Sequence, residues 1–255
     1  MEVIIPLHTR DVVNSSSRKR PYLFSQPNIV AYAKACKGIV DAIKTEHPDV
    51  YFCPLRGSYP VTRVVLPHVV QDVGSVAYVT TSGFLLNRRD IIRSALETII
   101  QRLSDNGNIA IVDTAITGSS IRDFRRIIKE DLSLLMAKKG IQRLNIEVMK
   151  LWKNRKFPNN YGGESKSLNN GAEIIFHDYN FGVPDLFCED DPDLLGIDYL
   201  DHTTGGKKHS TLHQIDSRRG IVVKSRSGDC EYAGKSDSQL FVDIASKELE
   251  LLLTQ

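Results

Sequence analysis

The stretch 108–124, NIAIVDTAITGSSIRDF, constrains this chain more than any other. Its apolar run Ile109, Ala110, Ile111, Val112 ends at one acid, Asp113, and the small polar turn Thr117-Gly118-Ser119-Ser120 leads into an amphipathic helix. Strand, acid, turn and helix in immediate succession predict one unit of an open α/β sheet. Ligands bind such sheets at the carboxyl ends of the strands, where the backbone N–H groups of a turn and helix start converge on one point. A phosphate suits that point, and Asp113 beside it is placed to hold a sugar hydroxyl or a metal ion.

The flanking segments extend the pattern. Ile29, Ala33, Cys36, Val40 and Ile43 recur at helical spacing from Pro27, and His47-Pro48 stops the run. A short apolar strand from Val50 then enters Pro54-Leu55-Arg56-Gly57-Ser58-Tyr59-Pro60. An arginine followed by two small residues lets a guanidinium and main-chain amides approach an anion together, although the same residues also read as an ordinary Gly-Ser turn. Residues 76–80 read as a strand, and Asn87 caps a helix bearing Ile91, Ile92, Ala95, Leu96, Ile99, Ile100 and Leu103, with Arg88 and Arg89 on its surface. After the motif, Ile121, Phe124, Ile128, Leu132 and Leu135 form a buried helix face, with Arg122, Arg125, Arg126 and Lys129 facing water.

Strands are predicted at 144–151, ending beside a packed Trp152, and at 173–177, separated by a polar loop at 153–171. The later chain mixes aromatics with acids and ends in a short strand at 221–224 and an amphipathic helix carrying Leu240, Phe241, Ile244, Leu249 and Leu252. Near the amino terminus, residues 3–5 read as a short strand and the basic residues of 14–21 as a solvated loop. The alternation of strands and helices predicts an α/β fold with a mostly parallel sheet flanked by helices.

Composition narrows the function classes. With 33 Lys+Arg against 31 Asp+Glu the net charge is +2, which does not argue for nucleic acid or an anionic membrane as the main partner. Cys36, Cys53, Cys188 and Cys230 form no CxxC pair and read as reduced thiols. No run of eighteen apolar residues occurs, and the first residues have no secretory pattern, so a soluble cytoplasmic protein is expected. His209 and His213, with His202 nearby, would be two ligands on one face of a helix, but the adjacent Gly205-Gly206 argues against a zinc site. Neither GxxxxGK[ST] nor GxGxxG is present.

IAIVDTAITGSS resembles the phosphoribosyl-pyrophosphate (PRPP) signature of type I phosphoribosyltransferases, in which a hydrophobic strand ends in acids and a Thr-Gly-x-Ser/Thr turn follows. CPLRGSYPV resembles that family's pyrophosphate loop, which also follows an earlier strand. The resemblance implies Mg²⁺-dependent transfer of phosphoribose from PRPP to a nitrogen base, releasing pyrophosphate. Thr117, Gly118, Ser119 and Ser120 would wrap the 5-phosphate, Asp113 would bind the ribose hydroxyls, and Arg56, Gly57 and Ser58 would cradle pyrophosphate. VPDLFCEDDPDLLGIDYLDH resembles the base-binding end of the purine salvage members, which implies Phe181 or Phe187 as the residue stacking on the base and Asp198 or Asp201 as the acid at the metal.

One departure from the pattern stands out, because Val112 occupies the first of two adjacent acidic places. It opens an alternative reading, a non-catalytic PRPP or nucleotide sensor that regulates a partner. The expected organisation is a phosphoribosyltransferase-like α/β domain over 1–204 with a small hood-like region, and a C-terminal helical extension over 205–255 packed on it. The resemblance also implies a homodimer.

Overall fold

The computed structural model describes residues 24–55, 57–70, 75–80, 88–103, 105–115, 119–153, 160–167, 172–184, 186, 197–204, 207–214, 221–224, 230–233 and 237–255. The readings at 3–5, 14–21, Asn87, Arg56, Thr117, Gly118 and Phe187 lie outside these residues.

Helix α1 (Gln26–Glu46) starts with a proline in its first turn, where a missing N–H costs nothing, and ends at His47, whose left-handed φ of 47° lets its N–H bond to Ile43 O. Strand β1 (Val50–Leu55) leads into α2 (Ser58–Val65), a short 3-10 turn, β2 (Val76–Thr80), α3 (Arg88–Arg102) and β3 (Asn106–Ala115). Then come α4 (Ser119–Lys139), β4 (Arg143–Lys153), β5 (Asn160–Ser167) and β6 (Glu173–Val183). The hairpins β7 (Ile197–Thr204) with β8 (Lys207–Gln214), and β9 (Ile221–Lys224) with β10 (Cys230–Ala233), precede α5 (Asp237–Leu253).

The main sheet has the order β2-β1-β3-β4-β6-β5. Its first five strands are parallel, and β5 joins the edge antiparallel to β6. The fold is therefore α/β, as the alternating pattern predicts. Side chains alternate between two covered faces. Tyr51, Cys53, Ala110, Val112, Met149 and Leu151 pack with α1, α2 and α5, while Val50, Phe52, Ile109, Ile111, Ile146 and Val148 pack with α3 and α4. Covering both faces explains the near-continuous apolar runs, since each fully buried Val, Ile or Phe contributes about 1.5–3 kcal/mol.

Topology sets the place of a site. The chain leaves β1 through α2 to β2 on one side, then returns through α3 to β3 on the other side of β1. Because parallel crossovers keep one hand, helices that run in opposite directions cover opposite faces. The order reverses between β1 and β3, so their carboxyl ends open a crevice there.

Several elements differ from the sequence reading. Residues 58–65 form a helix rather than only a turn, and at eight residues it is too short to show a helical period. Strand β3 begins at Asn106 and runs through Asp113 to Ala115, so the acid lies within the strand. The polar segment 153–171 contains β5, whose sequence NYGGESKS suits a solvated sheet edge. Strand β6 continues six residues past His177, to Val183. The 204/205 boundary falls between the paired strands β7 and β8. Helix α5 contributes fully buried Phe241, which meets Tyr32 of α1 edge-on at 4.9 Å.

Candidate functional site

Strands β1 and β3 pair with Phe52 opposite Ile111, which brings the turn after β1 against the end of β3. Thr114 Oγ1 donates a hydrogen bond to Gly57 O at 2.9 Å, and the Thr114 N–H donates to Asp113 Oδ1 at 2.7 Å. A Cβ atom on Gly57 would lie 2.6 Å from Thr114 Oγ1 and 2.7 Å from Asp113 Oδ1. Glycine is thus required by close approach, and the turn after β1 meets the acid-bearing end of β3 at this point. Ser58 starts α2 fully buried, and its Oγ has no hydrogen-bond partner among the described residues. Helix α4 opens at Ser119, with Ser120 next in its first turn.

Asp113 is 7% exposed. Burial, and after it the Asp113 carboxylate, push the Cys53 thiol far up, so Cys53 is no nucleophile here. On β4, the register partner of Asp113 is Lys150, which is also 7% exposed. Lys150 Nζ lies 2.8 Å from Asp178 Oδ1 of β6, and Arg125 Nη1 of α4 lies 2.9 Å from Asp178 Oδ2. The Lys150 ammonium also stands 5.8 Å from the Trp152 ring centroid. By strand alternation Asp113, Lys150, Trp152 and Asp178 share the face covered by α3 and α4. With Arg125 of α4 the two acids face two cations, which is how charges are kept in a covered sheet.

Sequence reasoning missed Lys150 and Asp178 and placed Arg125 and Lys129 in water. Arg125 instead reaches Asp178 and stacks its guanidinium 4.7 Å from the Phe176 ring, and Lys129 lies 5.1 Å from the same ring. The available signal was a lysine inside VMKLW, since a lone charge in a central strand must find a partner. Arg89 of α3 binds Glu130 and Asp131 of α4 at 2.9 and 3.0 Å.

The structure does not bring Phe181 to Asp113. Phe181 lies on the opposite face, where its ring fills the space above Gly38 of α1 and leaves no room for a Cβ there. Trp152 shares a face with Asp113, as do Phe52 and Phe176, and it packs at the end of β4 as expected. Asp198 stands opposite His213 and Asp201 opposite Ser210 in the β7–β8 hairpin, positions of opposite parity. His209 and His213 therefore lie on a strand rather than a helix, with His209 opposite His202. No group of three or more His, Cys, Asp or Glu side chains among the described residues is placed to hold a metal. No helix among the described residues is long and apolar enough to cross a membrane. Comparison with family models, curated proteins and solved structures finds no match.

Proposed function

We propose that the crevice between β1 and β3 binds PRPP and that the chain transfers its phosphoribosyl group to a nitrogen base, releasing pyrophosphate. The observation that carries this reading is the contact of Gly57 with Asp113 and Thr114, which joins the turn after β1 to the acid-bearing end of β3 at the topological switch point. A ligand with phosphate at one end and diphosphate at the other suits two such turns. The start of α4 offers N–H donors to the 5-phosphate, the start of α2 and the unpartnered Ser58 hydroxyl face the diphosphate, and Asp113 accepts from the ribose hydroxyls.

Mg²⁺ fits this donor set, because a magnesium ion held mainly by substrate phosphates needs only one or two protein carboxylates, and Asp113 supplies one. When bound it neutralises the departing diphosphate. The chain's own residues then hold the two ends of the substrate, exclude water and align the incoming nitrogen with the anomeric carbon.

A sensor of PRPP or a nucleotide, acting on a partner, is the second reading. Val112 favours it, since the first acidic place of the motif is filled by a fully buried side chain in the core under α1. Incubation with PRPP, Mg²⁺ and a panel of bases separates the readings. Pyrophosphate release with one of the bases supports transfer, PRPP binding without release from any base supports the sensor, and absence of binding defeats both.

A further inference from the structure

The α1 face of the sheet carries a second polar cluster, three residues nearer the amino ends than Asp113, or about 10 Å along the strands. Its centre is Glu147 of β4, 2% exposed, whose Oε2 has no hydrogen-bond partner among the described residues. Tyr51, Ala110, Glu147 and His177 form one row across β1, β3, β4 and β6. The end of α1 comes down on this row. Glu46 O accepts from Asn108 Nδ2 at 2.7 Å, and Glu46 Oε1 accepts from the Tyr179 hydroxyl at 2.7 Å. The same hydroxyl is hydrogen-bonded to Glu147.

A phenol carries one proton. Placed between two carboxyl groups, that proton serves only one of them at a time, and while it is given to Glu46 at 2.7 Å the contact with Glu147 is favourable only when Glu147 brings its own proton. Glu46 is half-buried at a helix end, whereas Glu147 is buried in the sheet, so neutralisation falls on Glu147. We propose that Glu147 is a neutral carboxylic acid that donates to Tyr179, and that the chain Glu147 to Tyr179 to Glu46 latches the end of α1 onto β4 and β6 and opens when Glu147 ionises. Burial first, and the Glu46 charge second, push the Glu147 carboxyl up to about 7, against a smaller lowering by the Tyr179 hydroxyl. The surrounding ionisable groups are Glu46 and His47 at the end of α1, Asp49 and Tyr51 at β1, and His177 and Tyr179 on β6.

The sign follows from linkage. A carboxyl raised in the folded state stabilises fully below its ordinary range, and that stabilisation is lost as pH rises to about 7. Thermal unfolding of the full chain from about pH 5 to pH 8 should show wild-type Tm falling by about 5 °C more than that of Glu147→Gln, whose amide keeps a donor for Tyr179. Infrared spectra of the wild type should show a protonated carboxylic-acid carbonyl at about pH 6 that is absent from Glu147→Gln and fades by about pH 8. Parallel Tm profiles, or no acid band in the wild type at pH 6, would overturn the latch. So would a chelator-reversible rise of wild-type Tm with Ca²⁺ that Glu147→Gln lacks, because a cation would then be what neutralises the pair.

Discussion

Strand β4 carries a buried ionisable residue on each face, each met by a half-buried group of β6, and the two faces solve the same problem differently. Toward α3 and α4, Lys150 and Arg125 flank Asp178 at 2.8 and 2.9 Å, so charge is met by opposite charge. Toward α1, Glu147 meets Glu46 through the Tyr179 hydroxyl, so an acid is met by a second acid. The first arrangement pairs opposite charges beside Asp113, which suits a ligand site. The second depends on a proton and so responds to pH, which suits a structural joint away from the ligand.

Removing the central acid of the paired cluster breaks this comparison most severely. Asp178→Ala strands Lys150 and Arg125 in a covered sheet and should cost about 3 kcal/mol in urea unfolding. A loss below about 1 kcal/mol would mean that water, not Asp178, meets those cations. Next in size is Phe181→Ala, which opens a void above Gly38 and should cost about 2 kcal/mol while leaving PRPP binding unchanged. Weaker PRPP binding with intact stability would put Phe181 back at the ligand site. Smallest in stability is Gly57→Ala, about 1–2 kcal/mol from the displaced Thr114 and Asp113 contacts, but it should weaken PRPP binding about tenfold or more. Unchanged binding there would separate the turn from the ligand.

The sheet and its helices were legible because period and burial agree. The apolar positions of α1, α3 and α4 recur every three or four residues, and β1 and β3 are short runs sealed on both faces. Elements without that redundancy escaped. Helix α2 is only eight residues long and holds Pro60 in its first turn, and β5 is a polar edge with little apolar area to reveal it. The site divides the same way. Asp113 and Gly57 sit in local motifs, whereas the bond from Lys150 to Asp178 joins residues 28 apart and depends on the β4–β6 register. The placement of Phe181 was misjudged for the related reason that one residue of parity decides the face of a strand.

Titration calorimetry of PRPP with Mg²⁺ into the wild-type chain and into Asp113→Asn tests the central claim most directly. Saturable binding by the wild type, weakened about tenfold or more in Asp113→Asn with thermal unfolding unchanged, is the predicted result. Absence of binding by the folded wild type, or equal binding by the two chains, would contradict a PRPP site built on Gly57 and Asp113.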